Sequence, residues 1–403
     1  MPEATGLAQL DRRVSSLVDT LRPQLVEDRR HLHRHPELSY QERATAEMCA
    51  ERCQVLGFSV RTEVGGTGVL ADLDSGRPGP TVMLRADTDA LPIIERGADR
   101  PVTSANPGAM HACGHDGHVA MALGAAAILS DLRDAWSGRV RMCFQPAEEV
   151  AGGAQPMIDA GAADGVDRVL GIHLWAPLQV GRVAVGPGPL FGSADEFGLV
   201  VRGRGGHGGM PHTSVDPVVC AAQIVTALQT VVSRETSPFN PAVVTIGRIE
   251  GGSAFNVIAE EVRMRGTVRA FDADERERLL RRIAEIAQDM ARSLRCEAEF
   301  VRANGCPPVV SDAGVAEVVR RAAVATVGEE NVDVAPRITV GDDVALFLER
   351  APGCYFLVGA GDVARRQVAP HHHPEFDIDE RCLPVGAATL ARAALTELTP
   401  ALP

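Results

Sequence analysis

The residues best suited to chemistry stand in one short run of the chain. Residues 110–118 read Met-His-Ala-Cys-Gly-His-Asp-Gly-His, and further along Gln-Pro-Ala leads into the adjacent acids Glu148 and Glu149. Three histidines, a cysteine and an aspartate within nine residues are poor core packing, because every buried polar group needs a partner. Thiolate and imidazole are the usual ligands of zinc-like ions, and a carboxylate pair supplies both a ligand and a proton carrier. The run therefore indicates a metal site.

Cys113 and His115 are separated by a single glycine, which lets the backbone turn so that both side chains face one point. This pattern is typical of metal ligation, but a catalytic cysteine activated by a nearby histidine uses the same residue types. The spacing alone does not separate the two interpretations. Glu148 and Glu149 favour the metal, since a thiol enzyme needs no pair of carboxylates. One carboxylate can then hold metal while its neighbour works as the general base.

Acidic or imidazole side chains directly follow three strands that the sequence predicts. They are Asp87 and Asp89 after residues 81–84, Glu148 and Glu149 after residues 139–144, and His173 after residues 168–172. In open α/β sheets, ligands bind in the crevice beyond the carboxyl ends of the strands. We therefore expect these distant segments to converge on one site.

The remaining histidines also fall into tight groups. The triplet at residues 371–373 lies between a predicted strand and the last predicted helix, so it can return one ligand to the site. The three histidines at 31–35 end an N-terminal helix and are interpreted as surface or packing residues. His207 stands in a glycine-rich run, residues 203–212, which lacks the lysine and the glycine spacing of a phosphate-binding loop.

The elements that must position these residues alternate between strand and helix, which is typical of an α/β layer. The first helical stretch is expected to break at Pro23 and restart after it. A hinge is predicted at the Gly-Pro-Gly-Pro run, residues 186–189, followed by strand, helix, strand, strand, helix and strand over residues 194–301. The fold class is therefore α/β, with a smaller α+β domain inserted into a discontinuous one. The predicted domains are 1–188 with 302–403, and 189–301.

Composition limits the function classes. The net charge of -13, with 53 acidic against 40 basic residues, argues against a nucleic-acid or anionic-membrane surface. No apolar run reaches membrane length, and the first ten residues lack the layout of a signal peptide. Nine scattered cysteines are a poor disulfide framework and fit a reducing compartment. We expect a cytoplasmic protein that acts on a small molecule, with no nucleic-acid or membrane partner.

Taken together, the motifs resemble the aminoacylase and carboxypeptidase-type metallopeptidases. The branch they look like contains hippurate hydrolase and the amidohydrolases of indole-acetyl amino acids, and the resemblance covers nearly the whole chain. The motifs that carry it are residues 30–39, 84–92, 110–118, 144–149, 206–208, 255–258 and 372–374. The resemblance implies a mixed-sheet α/β/α catalytic domain with an inserted domain that serves as lid and dimerisation surface.

The resemblance also implies a dinuclear metal centre. It implies five ligands to two divalent ions, namely Cys113, His115, Glu149, His173 and His372. Cys113 would bridge the ions where related branches have an aspartate, and Glu148 would be the general base. Asp89 would not bind metal itself but would orient one of the ligands. Manganese or zinc is the expected metal, with cobalt and nickel as further candidates.

The inserted domain is expected to complete the site. By resemblance, His207 stabilises the oxyanion, often from the partner subunit, and a homodimer through the lid is expected. Asn256 and Arg269 resemble the lid groups that hold the carbonyl and the carboxylate of the substrate. The chain departs from the common family pattern at Asp342, where glutamate is usual, and at Ala259, where proline is frequent. The departure at Asp342 bears on specificity more than on chemistry, and the change at Ala259 is minor.

The predicted activity is hydrolysis of the amide bond of N-acyl amino acids or related small conjugates, which releases a carboxylate and a free amino acid. Two alternatives remain at this point. The first is an amidase that uses Cys113 as its nucleophile, without metal. The second is a non-catalytic protein that binds acyl amino acids, against which an intact Glu148 speaks.

Overall fold

The computed structural model describes residues 2–97, 100–362 and 369–399, with side chains from residue 9 onward. It divides into two compact units. The first comprises Met1–Leu190, Val310–Pro336 and Asp343–Pro403, and the second comprises Phe191–Val309 and Arg337–Asp342. Among the described residues, no helix combines the length and the apolar character that a membrane span requires.

The helices and strands of both units are numbered here in chain order. The helices are α1 (Pro2–Arg34), α2 (Arg43–Val55), α3 (His115–Asp131), α4 (Ala154–Asp159), α5 (Pro217–Ser233), α6 (Ala273–Ser293), α7 (Ala313–Val327), α8 (Ala345–Leu348) and α9 (Cys382–Leu398). The strands are β1 (Ser59–Val64), β2 (Gly68–Asp74), β3 (Thr81–Asp87), β4 (Arg139–Gln145), β5 (Arg168–Gln179), β6 (Val183–Val185), β7 (Gly188–Phe191), β8 (Ala194–Arg202), β9 (Gly206–His207), β10 (Ala242–Gly251), β11 (Val257–Ile258), β12 (Glu261–Ala270), β13 (Glu297–Cys306), β14 (Val309–Ser311), β15 (Val332–Val334) and β16 (Gly353–Gly361).

The first unit is built on a mixed sheet with the strand order β1-β2-β4-β3-β5-β16-β6-β15. The central strands β4, β3, β5 and β16 are parallel to their neighbours in this group, whereas β1 and β2 pair antiparallel. Parallel neighbours bring their carboxyl ends to the same edge of the sheet. Asp87 at the end of β3 lies at this edge, and Glu148 and Glu149 follow the end of β4 there.

Both faces of this sheet are covered by helices. On β3, Val82 and Leu84 belong to a large core that includes residues of α1, α3, α7 and α9. Met83, between them, belongs to a second core that includes Met157 of α4 and Phe347 of α8. Because successive strand residues point to opposite faces, two cores mean two covered faces. The predicted α/β class with a mixed sheet is confirmed.

The break predicted at Pro23 is wrong, because α1 runs through it without interruption. Val14 and Val18 before the proline and Leu25 and Leu32 after it are all buried in the same core. Proline removes one backbone hydrogen bond and costs roughly 3 kcal/mol in a helix interior. Burial of an apolar side chain contributes about 1.5–3 kcal/mol each, so packing on both sides of Pro23 outweighs the lost hydrogen bond.

α1 also carries a buried cation that reaches the start of α3. The guanidinium of Arg29, fully buried, contacts Asp116 at 2.9 Å, Asp377 at 2.9 Å and Glu380 at 3.4 Å. His33 on the next turn approaches the same Asp116 carboxylate at 2.8 Å. This network holds the first turn of α3, which begins at His115.

Replacing Arg29 with methionine is expected to lower the free energy of unfolding by about 3–5 kcal/mol, because it leaves the buried Asp116 carboxylate without its main countercharge. Urea unfolding followed by circular dichroism measures the change. Arg22→Met is the control, since Arg22 on the same helix pairs with Asp19 in solvent. Equal stability of the two variants would contradict this account.

The second unit contains an antiparallel sheet, β10-β12-β8-β13, that packs with α5 and α6. Its order of strands and helices is the one predicted for residues 194–301. A separate two-stranded ribbon pairs β9 with β11 and places Val257 opposite His207. This ribbon has no counterpart in the sequence pattern, because each of its strands has only two residues.

Candidate metal centre and active site

The polar run of residues 110–118 folds as a turn that enters α3. Gly114 caps the helix with a φ of 96°, in the left-handed region that glycine adopts without steric cost. Cys113 and His115 on either side of it are both buried. Their sulfur and ring nitrogen lie within 4.8 Å of each other. The turn at Gly114 therefore brings the side chains of Cys113 and His115 close to one point, as the spacing predicts.

The acidic pair Glu148 and Glu149 is held on a strained backbone. Ala147 and Ala151, on either side of a short helical turn, have positive φ values of 51° and 48°. Such conformations in residues other than glycine cost roughly 1–3 kcal/mol and are kept where the surroundings enforce them, often at active sites. His372 shares this property, with a φ of 65°.

Asp89 helps to hold the backbone of Glu148 and Glu149 in this conformation. Its two carboxylate oxygens accept hydrogen bonds from the backbone N–H groups of Glu148 and Glu149, each at 3.1 Å. The Ser39 hydroxyl donates to the same carboxylate at 2.7 Å. The Asp89 main-chain carbonyl accepts a hydrogen bond from Nδ1 of His115 at 2.8 Å. Asp89 thus orients both acids and one imidazole.

Two groups of three donor atoms meet at the sulfur of Cys113. One group is Cys113, His115 and His173, and the other is Cys113, Glu149 and His372; within each group the donor atoms lie within 4.8 Å of one another. His115 forms a further group with Glu148 and Glu149. A sulfur shared by two donor sets is the arrangement that a bridging thiolate requires.

The backbone sets the tautomers of the two buried histidines. Nδ1 of His115 donates to the Asp89 carbonyl, and Nδ1 of His173 donates to the Leu174 carbonyl at 2.5 Å. In a neutral ring, Nε2 then carries a lone pair. Nε2 of His173 lies 3.6 Å from the Cys113 sulfur. Histidine ligands in proteins are commonly oriented by such hydrogen bonds on the other ring nitrogen.

The electrostatics of this cluster fit divalent cations. Burial, reinforced by Glu149, raises the pKa of the Cys113 thiol well above its usual range. Burial also raises the pKa of Glu149 to about 7. Among the described residues, Nε2 of His115 and Oε1 of Glu149 are buried and have no hydrogen-bond partner. A bound cation would satisfy both atoms and favour the deprotonated thiol and carboxylate, so these residues fit a metal centre.

The structure brings together six of the predicted residues on the first unit. They are Cys113, His115, Glu148, Glu149, His173 and His372, with Asp89 behind them. His173 was expected just after a strand, but β5 continues to Gln179 and the residue lies within it. The strand is longer because β16 pairs with it beyond Leu174.

The three predicted lid residues belong to the second unit. His207 and Asn256 lie at the β9–β11 ribbon, where Gly208 donates its N–H to the Asn256 carbonyl at 2.8 Å. Nδ1 of His207 accepts the N–H of Gly209 at 2.9 Å, and the side chain is exposed. Arg269 lies on β12.

Two histidines next to the centre have roles that sequence reasoning missed. His118 directs Nδ1 at Asp87 at 2.6 Å, and its Nε2 accepts the N–H of Leu174 at 2.8 Å. His371 places its Nδ1 atom 3.8 Å from the Cys113 sulfur. For His118 a signal was present, because it stands three residues after His115 and therefore on the same helix face. For His371 there was none, since the triplet gives no sign of which member turns inward.

The chain was then compared with known proteins. Residues 83–396 match peptidase family M20/M25/M40. The chain belongs to this family. The resemblance predicted from the motifs is therefore confirmed, as is the prediction of an enzyme that hydrolyses amide bonds.

Individual members of the family are similar to this chain over most of their length. An N-acyl-L-amino acid amidohydrolase of Geobacillus stearothermophilus is 43% identical over 299 residues, which cover 74% of this chain and 80% of the relative. An N-acetyl-L-cysteine deacetylase of Bacillus subtilis (strain 168) is 39% identical over 367 residues, 91% of this chain and 86% of the relative. The Bacillus subtilis YXEP protein, a dinuclear metal-binding peptidase from the M20 family, has a crystal structure with a TM-score of 0.82 and 33% identity, covering 94% and 99% of the two chains.

Proposed function

We propose that this member of the M20 family hydrolyses N-acyl amino acids to a carboxylate and a free amino acid at a dinuclear metal centre. The observation that carries the proposal is the Cys113 sulfur, which two separate groups of donor atoms share. The names of the Geobacillus stearothermophilus and Bacillus subtilis relatives support the substrate class.

The ligands fall into two sets. Cys113, His115 and His173 would hold one ion, and Cys113, Glu149 and His372 would hold the other. When bound, two divalent ions lower the pKa of water and stabilise negative charge on the carbonyl oxygen of the substrate. Manganese and zinc are the proposed metals, because imidazole and thiolate donors suit zinc and carboxylate suits manganese.

Glu148 is the proposed general base. Its backbone is held by Asp89 and its carboxylate oxygen lies 3.8 Å from Nε2 of His115, at the centre of the cluster. In the proposed reaction the Glu148 carboxylate takes a proton from the attacking water. It then delivers this proton to the amide nitrogen, so that the amine can leave.

The Cys113 environment does not favour the alternative of a thiol nucleophile. The nucleophilic form of cysteine is the thiolate, and reactive cysteines have a lowered pKa. Without metal, burial and the neighbouring Glu149 raise the pKa of Cys113 instead. Only 8% of the residue is exposed, which also limits access by a substrate.

The predicted inserted domain, residues 189–301, is proposed as the lid and dimerisation domain, and most of it lies in the second unit, Phe191–Val309 with Arg337–Asp342. His207 is proposed to stabilise the oxyanion, and Asn256 and Arg269 to hold the substrate carbonyl and carboxylate. A homodimer through this domain is part of the proposal. Its mass in solution, measured by light scattering, tests that part.

His207→Ala is expected to lower kcat by about 10²–10³-fold, the usual effect of removing one oxyanion donor. Metal content, measured by elemental analysis, should not change, because His207 is not among the proposed ligands. The matched control is His212→Ala, since His212 is another exposed histidine of the same loop. Wild-type kcat in His207→Ala would remove His207 from the mechanism.

The substrate class is tested by a hydrolysis screen. Purified protein, with its metals identified by elemental analysis, is offered N-acetyl, N-benzoyl and longer N-acyl derivatives of amino acids, and the released amine is measured. Release of free amino acid from at least one series supports the proposal. Tight binding without hydrolysis across the whole panel would favour the non-catalytic alternative.

A further inference from the structure

His371 lies beside the candidate metal centre, with its Nδ1 atom 3.8 Å from the sulfur of Cys113. Its ring stacks on Trp175, with the centroids 4.8 Å apart and the planes at 22°, and packs against Phe376 at 4.9 Å. Two aromatic contacts limit how far the imidazole can rotate or tilt. The position of both ring nitrogens is therefore well determined by packing.

The backbone decides which nitrogen of His371 carries the proton. The N–H of Ala176 donates to Nε2 of His371 at 3.1 Å, so Nε2 must be an acceptor. A neutral imidazole with an accepting Nε2 carries its hydrogen on Nδ1. A doubly protonated ring would place two N–H groups against each other at this distance. His371 is therefore an Nδ1–H tautomer.

That N–H group lies next to the cysteine of the metal centre. Nδ1 of His371 is 3.8 Å from the sulfur of Cys113, within the range of a hydrogen bond to sulfur. In His115 and His173 the hydrogen is also on Nδ1, but there it is donated to a carbonyl, so these two rings turn the lone pair of Nε2 toward the cluster. Of these three histidines, two present a lone pair that can bind metal and one presents an N–H group that can donate to a thiolate.

We propose that His371 is a positioning residue, which donates a hydrogen bond from Nδ1 to the Cys113 sulfur and so holds the bridging thiolate in place. The inference rests on the proposed metal centre. A hydrogen bond to a thiolate withdraws charge from the sulfur and adjusts its bonding to the metal. His371 would therefore set how strongly Cys113 donates electrons to the two ions.

Two variants of similar size isolate this hydrogen bond. In His371→Asn the side-chain amide can place an N–H group where Nδ1 stood, whereas in His371→Leu there is no donor. Both variants lose the aromatic stack on Trp175, so the difference between them reports the donor alone. His373→Asn is the control for the segment, because His373 is exposed and its Nδ1 accepts the N–H of Glu375.

The readout is the near-ultraviolet charge-transfer band from thiolate to metal in protein loaded with Co²⁺. Without the hydrogen bond the sulfur lone pair is higher in energy, so the band of His371→Leu is expected at longer wavelength than in the wild type. The band of His371→Asn should lie close to that of the wild type, and His373→Asn should not move it. In competition with a chelator, His371→Leu is expected to bind Co²⁺ about 10- to 100-fold more weakly.

An unmoved band in His371→Leu would overturn the proposal, since it would mean that the Nδ1–H group is directed elsewhere. If His371→Leu does not fold, His371→Phe, which keeps an aromatic ring against Trp175, provides the donor-free variant. Failure of this inference differs from failure of the proposed function. A wild-type band that no variant shifts, with hydrolysis intact, rejects only the role of His371, whereas a wild type without the band rejects Cys113 as ligand and this proposal with it.

Discussion

Glu148→Gln is expected to lower kcat by about 10²–10⁴-fold while both metal ions stay bound. Glutamine keeps the size of the side chain and its hydrogen-bonding capacity, but it cannot take a proton from water or carry one to the leaving amine. The backbone of residue 148 should not move, because Asp89 holds its N–H group and Ala147 and Ala151 fix the turn. The loss is therefore a loss of proton transfer.

The measurement is kcat for an N-acyl amino acid that the screen identifies, together with metal content per chain. Glu51→Gln, on the exposed face of α2, is the control and should retain wild-type turnover. If Glu148→Gln turned over at the wild-type rate with its metals bound, the general base would have to be another group. If it lost its metals, Glu148 would be a ligand and not the base.

Two substitutions of Cys113 are expected to differ sharply. Cys113→Ala removes the donor atom that both ligand sets share, so metal content and hydrolysis should both fall to background. The affinity loss should exceed the roughly 10- to 100-fold cost of losing an outer-shell partner. Cys113→Asp supplies a carboxylate in the same place, and carboxylate oxygens also bind divalent ions. It is expected to retain metal and part of the activity.

This pair separates a bridging ligand from a nucleophile. A cysteine nucleophile predicts that both variants are inactive and that metal-stripped wild type remains active. A metal bridge predicts that Cys113→Asp hydrolyses substrate, and that a chelator abolishes activity until metal is returned. Metal content by elemental analysis and rates before and after chelation distinguish the outcomes.

Packing overrides local signals at particular points of the fold. Pro23 is a strong local signal for the end of a helix, and α1 nevertheless continues because apolar residues on both sides of it are buried in one core. The sequence pattern predicts that β5 ends before His173, but pairing with β16 extends the strand to Gln179. In both cases contacts with distant segments outweighed the preference of a few neighbouring residues.

The sequence by itself determined the α/β class, the order of the longer strands and helices in the second unit and the types of residue at the candidate site. These follow from short-range patterns, namely hydrophobic alternation, turn residues and the density of polar groups between Met110 and His118. A metal centre was predictable because few structures accommodate so many imidazole, thiol and carboxylate groups without a cation.

Only the tertiary structure decided which of these residues lie together and which ring nitrogen each histidine turns toward the site. Cys113 and His371 are 258 positions apart in the sequence, and Ala176 lies 195 positions from His371. Which nitrogen of an imidazole carries the proton depends on the backbone group that it meets after folding, and no spacing along the chain encodes that group. The sharing of the Cys113 sulfur between two donor sets is therefore a property of the folded chain, and so is the choice of ring nitrogen, Nε2 in His173 and Nδ1 in His371, that faces this sulfur.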